Sequence, residues 1–148
     1  MAASNFVIYD STTGAVARTI VGDITLATAN TGSGEAALDV GSVRASSEKA
    51  YVADPGTTPT LTARPANTAV IPETVTAGDD LALASDPDGA SVTVSLFSGD
   101  GSSVHSGTKS GGTGAYDASI DGTTAGDVLL VEVGTFPHRI VRGFVAVT

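Results

Sequence analysis

Asp100, Ser102, Ser103 and His105 fall within six residues of one another. These are the residue types of a nucleophile, its general base and the carboxylate that orients the base. A working triad also needs a base held firmly against the nucleophile and an oxyanion hole. Here all of the candidates share one Gly-rich stretch, Ser98-Gly-Asp-Gly-Ser102 and its return, Ser103-Val104-His105-Ser106. Such a turn does not hold that geometry rigidly, so no catalytic role is expected for it. The second histidine, His138, sits beside Arg139 at the corner of an apolar hairpin and reads as a half-exposed corner residue.

The carboxylates are the other chemical candidates. Asp79, Asp80, Asp86 and Asp88 lie within ten residues, and Asp86-Pro87-Asp88-Gly89 resembles a fragment of a calcium loop. Hard cations require several oxygen ligands. No third aspartate follows at the right spacing and no glutamate closes the loop, so the stretch reads as a turn and no metal ligand is assigned. Asp121-Gly122 and Asp127 receive the same reading. A carboxylate pair of the glycosidase kind would need sugar-stacking aromatics, and the chain has no Trp, three Tyr and four Phe. Gly111-Gly112-Thr113-Gly114 lacks the Lys of a phosphate loop and reads as a flexible hairpin loop. The expected set of catalytic, cofactor-binding and metal-binding residues is therefore empty.

Composition narrows the classes further. The 148 residues suffice for one ordinary domain or two small ones. Twenty Thr, 15 Ser and 18 Gly supply strand and turn positions but few helix formers. The net charge is −9, from 16 acidic and 7 basic side chains, and it is unevenly spread. Residues 1–72 hold 4 basic and 6 acidic groups, net −2, and residues 73–148 hold 3 and 10, net −7. Such a surface is a poor match for phosphate backbones or anionic membranes, whose binding rests on Lys and Arg. The absence of Cys removes disulfides, thiolate nucleophiles and Cys-bound zinc together. No apolar run reaches the roughly 20 residues of a membrane helix, and no basic and apolar leader is visible. A protein made in a cytoplasm, with neither nucleic acid nor membrane as partner, is expected.

The elements are short strands. Phe6–Tyr9 and Val16–Val21 flank an Asp10–Gly14 turn, in which Asp bonds its own backbone and Gly takes positive φ. Thr28–Gly34 reads as loop. Glu35–Val40 alternates as a strand does, and Ala50–Ala53 is another short strand. Residues 54–73 hold Pro55, Pro59, Pro65 and Pro72, and form either a stiff linker between lobes or an edge strand crossing between two sheets. Beyond them, Leu81–Ser85, Ser91–Phe97 and Tyr116–Ile120 read as strands. Val92, Val94 and Leu96 face one way while Ser91, Thr93 and Ser95 face the other. Asp127–Val133 and Arg139–Val147 form a closing hairpin around Gly134-Thr135-Phe136-Pro137. Ala77-Gly78-Asp79 and Ala125-Gly126-Asp127 recur before strands but are too short to count as a repeat. The expected fold is all-β. A small N-terminal β-hairpin lobe (1–53) and a Pro-rich linker or crossing strand (54–73) precede an Ig-like antiparallel β-sandwich (74–148).

Four fragments carry a family likeness. Phe6-Val-Ile-Tyr9-Asp10-Ser-Thr-Thr-Gly14-Ala-Val-Ala-Arg18 is similar to an opening hairpin of the form aromatic, Thr-Gly, hydrophobic, Arg. Gly34-Glu35-Ala36-Ala37-Leu38, later followed by Tyr51-Val52, is the second, and Arg64-Pro65-Ala66-Asn67 the third. The fourth is Gly126-Asp127 through Phe136-Pro137-His138. Together they resemble the small β-rich virion proteins of tailed bacteriophages, of the tail or tail-fibre type. Thr68 stands where that family tends to repeat a proline, His138 stands for a tyrosine, and residues 90–122 are longer and richer in Gly and Ser.

The resemblance implies a non-enzymatic structural protein, located in the virion and attached to the tail or its fibres through contacts with other virion proteins. By the same analogy it implies a homo-oligomer, a trimer or hexamer, and no cofactor. It transfers no functional residues. A capsid decoration (cement) protein on the head surface is the first alternative, and a carbohydrate-binding or adhesion module at a fibre tip the second. Arg139 and Arg142 place two of the three basic groups of the acidic half on the last strand, which makes that strand the first place to seek a partner surface.

Overall fold

The computed structural model describes residues 3–86, 88–112 and 114–148. The chain is all-β apart from one short helix. It divides into two compact units, Met1–Pro65 and Ala66–Thr148.

The first unit is built around β1 (Ser4–Asp10), which lies between β2 (Val16–Gly22) and β3 (Glu35–Gly41) with both pairings antiparallel. Because side chains alternate across a strand, the unbroken apolar run Phe6–Tyr9 requires cover on both faces. Val7 and Tyr9 pack with Val16 and Val52, while Phe6 and Ile8 pack with Ala27. Val52 belongs to β4 (Ala50–Ala53), which pairs with β5 (Thr60–Ala63) in a small second sheet. Ala27 belongs to α1 (Ile24–Ala29), where the sequence reading expects loop from Thr28. Asp23 caps this helix by accepting a hydrogen bond from the Leu26 amide at 2.9 Å. A six-residue helix is marginal by itself, and the apolar face of β1 decides its formation.

Local chemistry turns the first hairpin as its residue types predict. The Asp10 carboxylate accepts from the amides of Thr12 and Thr13 at 2.9 and 2.7 Å. These bonds, Thr13 first, hold it below the usual carboxylate value. Gly14 follows at φ +79°.

The second unit is a β-sandwich. A five-stranded sheet in the order β6-β12-β11-β8-β9 faces a two-stranded sheet of β7 and β10. The strands are β6 (Thr74–Val75), β7 (Leu81–Asp86), β8 (Ser91–Leu96), β9 (Ser103–Thr108), β10 (Gly114–Ala118), β11 (Val128–Gly134) and β12 (Val141–Val147). One core joins the sheets: Leu81, Leu83 and Ala118 on one side, Val92, Val94, Leu129, Val131, Val133 and Val145 on the other. The period-2 patterns of β8 and β11 fall on this core as expected. Every strand pairing among the described residues is antiparallel except one, the two-residue parallel contact of β6 with β12.

The Pro-rich stretch 54–73 divides between the units. Residues 60–63 form β5 in the first. In the second, Val70 exchanges backbone hydrogen bonds with Ala84 on the β7 edge, and three residues later the Glu73 carbonyl accepts from Ala146 on β12. The chain thus passes from one sheet to the other at Pro72, where no ladder amide is required. Ile71 settles over Gly143, where an added Cβ would lie 3.1 Å from its Cγ2.

Thr76-Ala77-Gly78-Asp79 and Thr124-Ala125-Gly126-Asp127 are the same turn made twice. In each the Asp amide donates to the Thr carbonyl at 3.1 Å and the Gly takes positive φ, +90° and +99°. Both attach to the end of β12, through Thr148 and Val147 respectively.

Candidate functional site

The structure does not assemble the hydrolase-type residues. His105 lies on β9 opposite Val94, and its Nε2 is 2.9 Å from Tyr116 Oη, on β10 of the facing sheet. The two rings meet edge to face, with centroids 5.8 Å apart. Gly107 makes room for this contact: a Cβ there would come within 2.3 Å of Tyr116 Oη. The Asp100 carboxylate instead accepts from the Ser102 amide at 2.9 Å, and that bond lowers its pKa. Ser103 is ladder, opposite Ser95. His105 is thus a tie between two sheets. Its partner Tyr116 is 11 residues away in sequence and carries no signal linking the two.

The aspartates scatter. Asp79 and Asp80 are exposed beside a turn. Asp88 accepts from the Gly112 amide at 2.9 Å, and Asp127 from Thr124 N at 2.8 Å. The side chain of Asp86, together with Pro87 and Thr113, lies outside the described residues, so the Asp86–Gly89 and Gly111–Gly114 stretches are described only in part. Among the described residues, no three His, Cys, Asp or Glu groups lie close enough to hold a metal ion. No helix among them is long and apolar enough to cross a membrane.

What stands out is the outer face of the five-stranded sheet. Leu129, Val131 and Val133 of β11 point into the core, so Leu130 and Glu132 point away from it. Their register partners on β12 are Phe144 and Arg142. Phe97, just after β8, packs edge to face on Phe144 with centroids 4.8 Å apart. Both rings remain more than half exposed, at 59% and 57%. The outward face of a sandwich sheet is ordinarily polar, and a paired aromatic patch differs from singly scattered apolar residues. Arg142, one of the two basic groups that single out the last strand in the sequence, forms an ion pair with Glu132 directly across the ladder. The face is therefore aromatic and locally neutral within a unit of net charge −7.

His138 and Arg139 occupy the corner between β11 and β12, with Arg139 exposed. Phe136 and Ile140 flank them at 43% and 46% exposure, which extends the apolar character toward that corner. The sequence singles out the last strand by its charge, whereas the exposed aromatic pair on that sheet lies at Phe97 and Phe144. The aromatic pair is missed because Phe97 and Phe144 are 47 residues apart and meet only through the β12-β11-β8 strand order.

No family model, curated protein or solved structure matches the chain.

Proposed function

We propose that this chain is a non-enzymatic structural protein of a tailed bacteriophage virion, attached to the tail or its fibres through protein contacts. The observation that carries the reading is the exposed Phe97–Phe144 pair beside the neutralised Glu132–Arg142 pair. Aromatic anchors with little net charge are the composition of interface centres. The four sequence fragments supply the virion context by resemblance. An immunoglobulin-like arrangement of the second unit belongs to the same proposal and is supported by its two sheets enclosing one core.

The test is rebinding. Purified chain is incubated with particles that lack it, and its retention is measured for the wild type and for Phe144→Ser. Retention of the wild type and its loss in the variant is the expected result. Failure of the wild type to rebind overturns the reading. Imaging labelled particles then separates tail attachment from the alternative, decoration of the head. The exposed aromatic pair also favours a second reading, a carbohydrate-binding module at a fibre tip. Specific retention on a glycan array, lost in Phe144→Ser, would select it.

A further inference from the structure

The first unit holds four cations, Arg18, Arg44, Lys49 and Arg64. Arg18 is engaged with Glu35. Arg44 and Lys49 line a pocket of about 390 Å³. Ala50 and Leu61 give it an apolar floor, and Ser46 and Thr62 lie at its wall. That volume falls in the range of pockets that take small ligands or the side chains of a peptide. Arg44 and Lys49 are exposed. Among the described residues neither side chain has a hydrogen-bonding or acidic partner, and Glu48 does not line the pocket.

The second unit carries the complement. Its turns at residues 76–80, 97–102 and 119–127 all lie at the end where β11 begins and β12 finishes, as shown by the bonds of Ala77 to Thr148, Phe97 to Val128 and Gly126 to Val147. These turns hold Asp79, Asp80, Asp100, Asp121 and Asp127 and no Lys or Arg. Asp100 and Asp127 spend their carboxylates on the amides of Ser102 and Thr124. Asp79, Asp80 and Asp121 have no such partner among the described residues. The acidic groups among the described residues are too dispersed to chelate an ion, so this end offers separate charges at its surface.

We propose that the Arg44/Lys49 pocket is a docking site for the acidic end of a second copy of this chain, with Asp79 and Asp80 as the entering carboxylates. They are adjacent and exposed, and a turn with a positive-φ glycine holds them at the surface. Two cations meet two anions over an apolar floor, which gives the contact register as well as attraction. A site on one unit that takes a different site on the other is heterologous, so it propagates to a ring or a filament and does not stop at a dimer. The proposal rests on Arg44, Lys49, Asp79 and Asp80 and on neither ring of the Phe97–Phe144 pair, and it stands whether or not that face docks on a virion.

Sedimentation velocity of the full chain over a concentration series tests it. The wild type is expected to form species beyond the dimer at low salt and to dissociate in about 1 M salt, where the screening length falls to about 3 Å. Arg44→Glu with Lys49→Glu, and separately Asp79→Lys with Asp80→Lys, should each weaken association by about tenfold or more. The chain carrying all four substitutions should associate again, a recovery that misfolding cannot produce. A wild type that stays monomeric throughout, a pocket reversal without effect, or a four-substitution chain no better than either pair would each overturn the proposal.

Discussion

Gly14 and Val52 meet backbone to backbone. The Val52 amide donates to the Gly14 carbonyl at 2.8 Å, and a Cβ on Gly14 would come within 1.9 Å of the Val52 carbonyl oxygen. This contact seats β4 on the first hairpin and helps to bury Val52 against Val7 and Tyr9. Gly14→Ala is therefore expected to be among the most damaging single changes in the first unit. The positive φ costs about 1–2 kcal/mol for any L side chain, and the overlap with backbone requires β4 to move. A total loss of about 3 kcal/mol or more is expected, read as a shift in the urea midpoint. A loss below about 1 kcal/mol would show that β4 does not rest on Gly14.

Arg18 on β2 reaches across β1 to Glu35 on β3 with two hydrogen bonds, 2.8 and 2.7 Å, and also donates to the Asn30 carbonyl at the end of α1. The Arg18 bonds, and next the Gly32 amide, hold the Glu35 carboxyl at about 2, below its usual 4.5. A depressed folded pKa stabilises the fold above the unfolded value, and the stabilisation is lost as pH falls through the folded value. The wild type should therefore lose stability relative to Glu35→Gln between about pH 5 and about pH 2, and the two should be parallel above that window. Urea midpoints of both proteins across the range provide the check. The pair is open to solvent, so its effect should shrink in high salt.

The tie between His105 and Tyr116 predicts a coupling. Tyr116→Phe removes one partly buried hydrogen bond and should cost about 0.5–1.5 kcal/mol. Gly107→Ala should cost more, because the new methyl group meets Tyr116 Oη at 2.3 Å. With Tyr116→Phe already in place that obstruction is smaller, so the two changes together should cost less than their sum. A double-mutant cycle by chemical denaturation measures the difference. Strict additivity would mean that Gly107 serves the strand and not the tyrosine.

The two faces of β11 and β12 should respond differently to truncation. Leu129 is fully buried, and Leu129→Ala should cost about 2–5 kcal/mol. Phe144 is mostly exposed, and Phe144→Ser removes little more than an edge-to-face contact worth about 0.5–1.5 kcal/mol. Thermal melts check the contrast. A large stability loss from Phe144→Ser would mark the aromatic pair as structural and would remove it as a candidate docking surface.

What the residues determined alone is what depends on near neighbours along the chain. The alternation in Ser91–Leu96 and Val128–Gly134 specifies strands with one buried face, because side chains alternate whatever lies opposite. Asp10–Gly14 specifies its own turn, since the carboxylate and the amides that it binds are at most three residues apart. The all-β class follows from the sum of such segments. The tertiary structure decided every relationship that depends on strand order. Alternation assigns a residue to a face but does not choose the neighbour on that face. So the meeting of Phe97 with Phe144, of His105 with Tyr116 and of Arg18 with Glu35 emerges only when β8, β11 and β12, or β9 and β10, or β2, β1 and β3 come together. The helix Ile24–Ala29 belongs with these. Its six residues have too little propensity to declare themselves, and the buried contact of Ala27 with Phe6 and Ile8 makes them helical.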